Sequence, residues 1–542
     1  MSDDEFFATP NSTATSAQTV QTLNPLSTSE VAQLGRALLG VVFRLYLHDT
    51  VICTRRVPGL GAVGFGMVRE WGTELLQGVC LRDSRRRFTP EGHWLMLDGS
   101  DAQQICAAAL LEDESSAESE QNLHPTHIST SRTRRSQFAS LSPRSKILTH
   151  IPFSIPFDVR VQVFRQFVQK DWKDVVQRFR HSDPVSFRGR QRAVVRRGHV
   201  AEDGFKTLSG LREEMKLPVS ITFIDQWGNE EAGIDGGGVF KEFLTSLAKE
   251  TFDSNHGLWL ANKQQELYPN PHPYAKESGQ LEWFRFIGRV LGKALYEGIL
   301  VDIAFAPFFL AKSYIDDLAS LDPELYQGLM FLKNYKGNPE ELSLNFTVTD
   351  EYFGELVVTN LVPGGADRPV TAENKFAYIL MVAHHRLKTQ IRKQSDAFME
   401  GLTDIINPKW FRMFNQKELQ MLIGGTADPI DLDDLRANVV YGGLYDESHE
   451  VIRMFWKVVK DFNQDERRGL LRFVTSCSRP PLLGFKELNP RFAIRDSSSD
   501  DQRLPTSSTC VNLLKLPRYS SEYIMRQKIL QAISSGAGFD LS

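Results

Sequence analysis

Residues 112–146 are a long internal stretch that cannot enter a hydrophobic core, and this limits how the rest of the 542-residue chain folds. The stretch begins with EDESSAESEQ and ends with STSRTRRSQFASLSPRSK, so it is acidic and then basic, with Ser and Thr throughout. This composition predicts a solvated linker, with phosphorylation or binding of an acidic partner as alternatives. We therefore expect ordered units on both sides, over residues 27–111 and from residue 147 onward.

The residues before the first ordered unit are rich in Ser, Thr, Asn and Gln, and residues 1–26 are predicted to be disordered. Order is expected to begin at Ser27, because Ser27 and Glu30 have the spacing of a helix-capping box. Apolar residues then recur at helical spacing, which predicts an amphipathic helix at the start of a helical region over residues 27–111. These apolar positions are Val31, Leu34, Leu38, Val41 and Leu45.

The charge balance argues against two broad classes of function. Lys and Arg total 63 and Asp and Glu total 67, which gives a net charge of −4. A near-neutral chain is not expected to have bulk nucleic acid or an anionic membrane as its main partner. Seven arginines between residues 178 and 197 leave a nucleic-acid surface as an alternative. Without a recognisable binding module, a solvated helix face or intramolecular ion pairing is the better interpretation.

The cysteines indicate the compartment. Five of them, an odd number, are scattered along the chain, which argues against a disulfide framework and for a reducing environment. The N-terminus is acidic and polar without an apolar segment, so no secretory signal is expected. The most apolar stretch, residues 284–312, carries at least five charged residues and is not expected to span a membrane. A cytoplasmic or nuclear location follows from these features.

A strand, a glycine turn and a helix follow one another in the middle of the chain. Val219–Ile224 alternates like a strand, and Gly233–Gly238 precedes a helix predicted over Val239–Thr251. A phosphate-binding loop would need Lys and then Ser or Thr after its last glycine, and Val239 and Phe240 stand there instead. We therefore expect the glycines to form a tight packing turn rather than a nucleotide site.

Other catalytic patterns are missing from the sequence. No Cys-x2-Cys pair occurs, and the twelve histidines form no ligand cluster beyond the adjacent His384 and His385. The Gly-x-Ser-x-Gly elbow of serine hydrolases does not occur either. We expect neither a metal nor another cofactor. The remaining candidate is Cys510, at the edge of the polar loop LPTSSTCVN, where its sulfur is accessible; an inert thiol is the alternative.

Several motifs, in order along the chain, resemble those of HECT ubiquitin ligases. The segment around Cys510 resembles the active-site loop of this family, and the chain end, SGAGFDLS, is similar to that of the HECT subgroup associated with the proteasome. The resemblance runs from the region of Ile151 to Ser542. Four further motifs carry it: GIDGGGVFKEF from Gly233, FRFIGRVLGKA from Phe284, FNQKEL from Phe414 and FVTSCSRPP from Phe473.

The resemblance implies a mainly helical α+β fold of two lobes. A large helical N-lobe, residues 147–427, would contain a small subdomain at residues 315–390 that receives a ubiquitin-conjugating enzyme. A smaller α/β C-lobe, residues 428–542, would carry the catalytic cysteine. Gly424 and Gly425 precede a polar, Pro-containing stretch and would supply a flexible hinge, with a plain loop as the alternative.

The same resemblance implies a covalent mechanism that uses no cofactor. Cys510 would accept ubiquitin from the conjugating enzyme as a thioester and pass it to lysines of protein substrates, which then feed proteasomal degradation. Thr509 would orient the thioester, and Phe539 near the chain end would position the lobes. We add the hypothesis that Asp540 deprotonates the incoming lysine. The implied partners are ubiquitin, a conjugating enzyme, protein substrates and the proteasome.

A docking groove for the conjugating enzyme is expected in the small subdomain. Three leucines lie on one face of a predicted helix, and two more alternate on a predicted strand that follows it. By resemblance, these positions and two residues of the next helix form the groove, with packing in the subdomain core as the alternative. The expected groove residues are Leu325, Leu329, Leu332, Leu342, Leu344, Tyr378 and Val382.

Two features bear on the alternatives to a ligase. Ser508 and Val511 stand where family members often have His and Phe, so no detailed role is assigned to these neighbours of the cysteine. His449 is the single histidine between residues 428 and 542, which counts against a papain-like cysteine hydrolase. An inert helical scaffold is the other alternative, and it would have Cys510 buried and unreactive.

Overall fold

The computed structural model describes the chain in segments. The expectations for residues 1–25, for most of the linker and for the tail residues Phe539 and Asp540 lie outside these segments. Within them, no helix has both the length and the apolar character that crossing a membrane requires. The described residues are 26–47, 54–57, 61–97, 104–105, 107–110, 144–182, 191–225, 227–231, 238–310, 315–426 and 428–535.

Helix α1, Thr28–Leu47, begins where the sequence predicts it. The backbone N–H of Ser27 donates to the Glu30 carboxylate at 2.7 Å, and the backbone N–H of Glu30 donates to Ser27 Oγ at 3.3 Å. These two hydrogen bonds satisfy donors that have no partner inside the helix. The capping box predicted from the sequence is therefore confirmed.

The N-terminal region shares its core with the N-lobe. Helix α2, Phe65–Arg85, contacts α1 at Gly72, where an added Cβ would lie 2.6 Å from Val42 Cγ2. The buried side chains of these helices, among them Leu39 and Leu76, belong to the same hydrophobic core as the helices after residue 147. Two short strands between the helices pair antiparallel: β1, Thr54–Val57, and β2, Gly61–Gly64.

The first part of the N-lobe combines long helices with short two-stranded pairs. Strands β3 and β4 pair parallel, and β5 and β6 pair antiparallel. In chain order the elements are α3, Phe157–Ser182; β3, Gln191–Arg196; α4, Val200–Leu208; β4, Val219–Ile224; α5, Gly238–Thr251; β5, Trp259–Ala261; β6, Leu267–Pro269; and α6, Ser278–Glu297.

A small subdomain with its own hydrophobic core follows. Phe346 and Leu318 are fully buried at its centre, and the antiparallel hairpin of β7 and β8 extends from it with one strand almost entirely exposed. Its elements, with the short helix that leads into it, are α7, Pro307–Leu310; α8, Leu318–Leu321; α9, Pro323–Asn334; β7, Thr347–Tyr352; β8, Glu355–Asn360; and α10, Lys375–His384.

The chain then returns to the N-lobe, where α6 meets a second long helix at the centre of the core. Added Cβ atoms would lie 2.1 Å from Phe398 O at Gly288 and 1.8 Å from Arg285 O at Gly401, so only glycine allows the two backbones to come this close. This contact explains the first glycine of FRFIGRVLGKA. The returning helices are α11, Arg392–Ile405; α12, Pro408–Phe411; and α13, Gln416–Gly424.

The C-lobe is a four-stranded sheet covered by helices. Strand order is β11-β12-β10-β9, with β10 parallel to both neighbours and β11 antiparallel to β12 at one edge. Its elements are α14, Leu432–Ala437; β9, Val440–Gly442; α15, Glu450–Lys460; α16, Gln464–Thr475; β10, Ala493–Asp496; β11, Thr506–Ser508; β12, Leu513–Leu516; and α17, Glu522–Ser535.

The described residues thus form a mainly helical α+β fold of two lobes, as the sequence predicts. The core of the N-lobe extends to Ile423, and the core of the C-lobe begins at Ile430. The lobes therefore join at the predicted glycines, and the surface on which they meet holds the candidate site.

Candidate active site

Cys510 lies on a single turn at the edge of the C-lobe sheet. The short 3-10 turn Thr509–Val511 connects the edge strand β11 to β12. Asn512 closes the turn with a φ of +51°, a left-handed conformation that Asn adopts more readily than most residues. The Asn512 side chain is fully buried, and its amide donates to Pro490 O. The turn is therefore anchored within the C-lobe.

The Cys510 thiol is half-buried. Burial raises its pKa, and the nearby Glu242 carboxylate raises the pKa further. The backbone N–H groups of Cys510 and Val511 and the Lys241 ammonium act in the opposite direction without cancelling the effect of burial. At neutral pH the thiol is therefore mostly protonated.

His449 is occupied elsewhere in the C-lobe. It stands at the N-terminus of α15, where its Nδ1 accepts the backbone N–H of Val451 at 3.2 Å and its ring contacts Tyr445 edge-on. A cysteine hydrolase needs a histidine that can reach the sulfur, and this histidine caps a helix instead. The hydrolase alternative therefore lacks its base in this lobe.

The N-lobe adds a lysine to the turn that carries Cys510. Lys241, in the first turn of α5, donates to Thr509 O at 3.3 Å and to Asn512 Oδ1. Burial between the lobes lowers the pKa of Lys241 to about 8. The sequence analysis gave Lys241 no role within the motif GIDGGGVFKEF. Its two acceptors lie 268 and 271 residues further along the chain, so no local pattern reveals the contact.

The predicted hinge glycines lie at the end of α13, packed against the C-lobe. Gly425 has a φ of +84°, and an added Cβ would lie 2.7 Å from Pro480 O. The backbone N–H of Thr426 donates to the same oxygen at 3.2 Å, and Cys477 Sγ lies 3.6 Å from Gly424 O. A residue with a side chain would not fit at position 425, which explains why glycine stands there.

A cavity of about 730 Å³ lies between the lobes beside the turn that carries Cys510. Asp302 of the N-lobe accepts a hydrogen bond from Ser478 Oγ at 2.9 Å and pairs with Arg472 at 3.6 Å, which holds the lobes together at its rim. Ile533 and Ser534, in the last described turn of α17, also line the cavity. The polar residues that line the cavity include Glu242, Thr245, Asp302, Arg472, Thr509 and Ser534.

The expected docking residues lie mainly in the subdomain core. Three are half-buried against this core: Leu325, Leu342 and Leu344. Four are buried within it: Leu329, Leu332, Tyr378 and Val382. The helix predicted to carry the three leucines Leu325, Leu329 and Leu332 is present as α9, and the helix predicted to carry Tyr378 and Val382 is present as α10.

The strand predicted at Leu342 and Leu344 is wrong. Pro339–Leu342 forms a 3-10 turn that Asn338 caps, and β7 begins only at Thr347. Ser343 follows with a φ of +52°, which turns the chain between the two leucines. Two leucines separated by one residue are too short a pattern to distinguish a strand from such a turn.

Another face of the subdomain exposes apolar side chains, which the sequence analysis missed. Phe376 and Leu380 of α10 are 52% and 62% exposed, and Leu356 and Val358 of β8 are 70% and 59% exposed. The two elements are neighbours, because Leu380 and Thr359 line one shallow cavity of about 480 Å³. We call the surface formed by Phe376 and Leu380, which lie one turn apart on α10, the subdomain face. Exposed apolar area of this kind is available for an interaction.

These features define a two-lobed protein with a half-buried free cysteine on a turn between its lobes. The family model described as HECT-domain (ubiquitin-transferase) matches residues 245–542, more than half of the chain. The chain therefore belongs to the HECT family, and the resemblance drawn from its motifs is confirmed. Lys241 lies just before the matched residues.

Individual relatives agree with this assignment. The chain is 45% identical over 407 residues to the E3 ubiquitin-protein ligase UPL6 of Arabidopsis thaliana, covering 73% of this chain and 39% of that protein. It is 41% identical over 500 residues to the human ubiquitin-protein ligase E3B, covering 85% and 44%. It is 42% identical over 416 residues to the E3 ubiquitin-protein ligase HUL5 of Saccharomyces cerevisiae, covering 73% and 45%. The chain spans less than half the length of each of these relatives.

Proposed function

We propose that this chain is a ubiquitin-protein ligase that carries ubiquitin on Cys510. The observation that carries the proposal is the position of Cys510, half-buried on the turn Thr509–Val511 at the junction of two HECT-family lobes. In the loading step the Cys510 thiolate attacks the thioester between ubiquitin and a conjugating enzyme, a new C–S bond forms, and the enzyme's own thiolate leaves. One thioester replaces another, so the step needs no nucleotide and no redox partner.

In the second step a lysine of a protein substrate attacks the new thioester. The thioester has to survive until the lysine arrives, and it does so because the C-lobe histidine caps α15 and does not activate water at Cys510. Thr509 acts through its backbone, since its carbonyl is held by Lys241. We propose that Phe539 positions the lobes for this step and that Asp540 deprotonates the incoming lysine, both residues lying outside the described part of the chain.

The conjugating enzyme is proposed to dock on the small subdomain, with the subdomain face as its main contact. This choice follows from exposure, because an apolar side chain that is more than half exposed has area left to bury against a partner. Leu380 and Phe376 meet that condition, whereas Leu329 and Leu332 are buried. The half-buried Leu325, Leu342 and Leu344 would line the margin of the contact.

A single-turnover reaction with ubiquitin-loaded conjugating enzyme, analysed on a gel without reductant, tests the ligase proposal. The unmodified chain is expected to form a ubiquitin adduct that thiol reductant removes, and Cys510→Ala is expected to form none. Cys80→Ala, which changes a half-buried cysteine of the N-terminal region, is the matched control and should form the adduct normally. If the unmodified chain forms no adduct with any of several conjugating enzymes, the inert-scaffold alternative replaces the proposal.

The rate of the same adduct formation tests the docking surface. Leu380→Ser and Phe376→Ser are each expected to slow loading by about tenfold, the size typical of a central interface residue, without unfolding the chain. Leu34→Ser on α1, where the leucine is 53% exposed, is the control and should load at the normal rate. If Leu325→Ala slows loading and the subdomain-face variants do not, the groove predicted from the sequence is the docking site.

The substrates and the cellular setting are proposals that rest on resemblance. We propose protein lysines as acceptors and proteasomal degradation as the outcome, in the cytoplasm or the nucleus, on the similarity of the chain end SGAGFDLS to the proteasome-associated subgroup. Co-sedimentation of the chain with purified proteasomes tests the proteasome part. A chain that forms the adduct but does not co-sediment would keep its ligase chemistry and lose this partner.

A further inference from the structure

A lysine of the N-lobe holds the catalytic turn at both ends. Lys241 Nζ donates to the carbonyl of Thr509, immediately before Cys510, and to the side chain of Asn512, two residues after it. Lys241 belongs to α5, whereas both acceptors belong to the C-lobe. These hydrogen bonds therefore exist only while the lobes are in contact in this arrangement.

The acceptor Asn512 is itself rigidly placed. Its side chain has no exposed surface, its backbone is left-handed, and its amide donates to Pro490 O. A hydrogen bond from a charged donor is stronger than one between neutral groups, and here it ends on a side chain that cannot follow a displaced partner. The contact with Lys241 therefore fixes where the catalytic turn stands relative to the N-lobe.

Placing an ammonium between the lobes has an energetic cost. Burial lowers the pKa of Lys241 to about 8, while the two cysteines nearby, Cys477 and Cys510, act in the opposite direction. The ammonium is thus still mainly charged at neutral pH. A buried charge without hydrogen bonds is strongly unfavourable, and the two oxygens beside Cys510 offset that cost. The hydrogen bonds between Lys241 and the turn therefore stabilise the arrangement in which the two lobes are in contact.

We propose that Lys241 is a positioning residue of the lysine-transfer step: it fixes the catalytic turn against the N-lobe and stabilises the Cys510 thiolate as it leaves. This inference rests on the proposed function. In that step the substrate amine forms a bond to the ubiquitin carbonyl carbon, the C–S bond breaks, its electron pair goes to sulfur, and the amine proton passes to a base, for which Asp540 is the candidate. A fixed positive charge beside the turn stabilises the negative charge that develops on sulfur.

The loading step places a different demand on the same turn. The proposal requires that Cys510 leaves the position that Lys241 fixes when it takes ubiquitin from an enzyme docked on the small subdomain. The hydrogen bonds to Lys241 then break, and they form again when the C-lobe returns with its ubiquitin. Removing Lys241 is therefore expected to affect transfer to lysine much more than loading.

Lys241→Met tests this split, because Met keeps the length of the side chain without charge or donors. Loading is measured with ubiquitin-loaded conjugating enzyme, and discharge is measured by adding free lysine to the isolated Cys510 adduct. Discharge is expected to slow by about tenfold, the effect of losing one hydrogen bond to a charged group, with loading changed by less than about twofold. Lys241→Arg should restore most of the discharge rate. Lys206→Met, an exposed lysine of α4, is the control.

A double-mutant cycle with Asn512→Gly separates positioning from general damage. Glycine keeps the left-handed backbone accessible and removes the oxygen that Lys241 binds. Asn512→Gly alone should slow discharge more than loading. This variant therefore tests the proposal by itself if Lys241→Met does not fold. Lys241→Met should then have a smaller effect in the Asn512→Gly background than in the unmodified chain.

Two results would overturn the inference while leaving the proposed function intact. One is a normal discharge rate in Lys241→Met, and the other is an equal loss of loading and discharge, which would make the lysine merely structural. A chain that forms no adduct even with Lys241 present would instead contradict the proposed function itself. The two failures are therefore distinguishable in one experiment.

Discussion

Two cysteines of the C-lobe, Cys477 and Cys510, differ in how deeply the fold buries their thiols. Cys477 follows the end of α16, where it is 4% exposed and its Sγ lies 3.6 Å from Gly424 O. Burial raises the pKa of its thiol to about 11. Cys510 is half-buried on a turn, and the backbone N–H groups of the turn and Lys241 restrain the rise in its pKa.

The local sequences do not explain this difference. Both cysteines follow a run of Ser and Thr, in FVTSCSRPP and in LPTSSTCVN. What separates them is long-range placement. Cys477 is covered because its segment lies under the hinge, where Thr426 N–H donates to Pro480 O at 3.2 Å. Cys510 stays reachable because the sheet edge holds its turn outward. Reactivity is thus decided by which surfaces meet, and the following predictions test that.

The largest expected effect concerns which cysteine carries ubiquitin. Cys477→Ala is expected to form the thioester adduct at nearly the normal level, because its buried sulfur takes no part in the exchange. Cys510→Ala is expected to form none. Intact mass of the adduct before and after thiol treatment measures both. An adduct that survives in Cys510→Ala and disappears in Cys477→Ala would reverse the assignment.

The sequence could predict features that depend on neighbouring residues. The capping box at Ser27 and Glu30, the helices α9 and α10 and the polar loop around Cys510 all follow from local spacing and composition. The family motifs added the two-lobed architecture, because they occur in the right order. These features need no knowledge of which surfaces come together in space.

The features that sequence reasoning missed all depend on distant contacts. Lys241 and Thr509 are 268 residues apart in the chain, so no local pattern joins them. Leu329 and Leu332 lie on the predicted helix face, but helical spacing cannot say whether that face meets a core or a partner. The same limit applies to α1. The predicted apolar face includes Leu34, which is 53% exposed, whereas Leu39 and Val42 are the residues that lie in the core shared with the N-lobe.

The alkylation rates of the Cys510 and Cys477 thiols in the folded chain should differ by a large factor. With iodoacetamide at neutral pH, Cys510 is expected to react at least about a hundredfold faster than Cys477, which has both the higher pKa and a requirement for local opening. Peptide mass spectrometry of briefly labelled protein measures both sites in one sample. In denaturant the two should react at similar rates, which is the control. Equal rates in the folded state would show that burial does not distinguish them.

The pH dependence of Cys510 labelling tests the direction of its pKa shift. Because the pKa is raised, the thiolate is a minor species at neutral pH, and labelling should accelerate by about tenfold per pH unit up to about pH 8. Lys241, with a pKa of about 8, loses its charge in this range, so the rise should become shallower above pH 8. A plateau below pH 7 would mean an activated thiolate, as in a hydrolase.

The smallest effect concerns the cover over Cys477. Gly425→Ala places a Cβ 2.7 Å from Pro480 O at a φ of +84°, which costs about 1–3 kcal/mol of unfolding free energy. The strain falls on the segment that shields Cys477, so labelling of this cysteine should accelerate several-fold while Cys510 labelling changes little. Gly210→Ala is the matched control, since nothing lies within 4 Å of its added Cβ. If Gly425→Ala lowers the unfolding free energy but leaves Cys477 labelling unchanged, the hinge does not provide the cover, and Cys477 is shielded by the C-lobe alone.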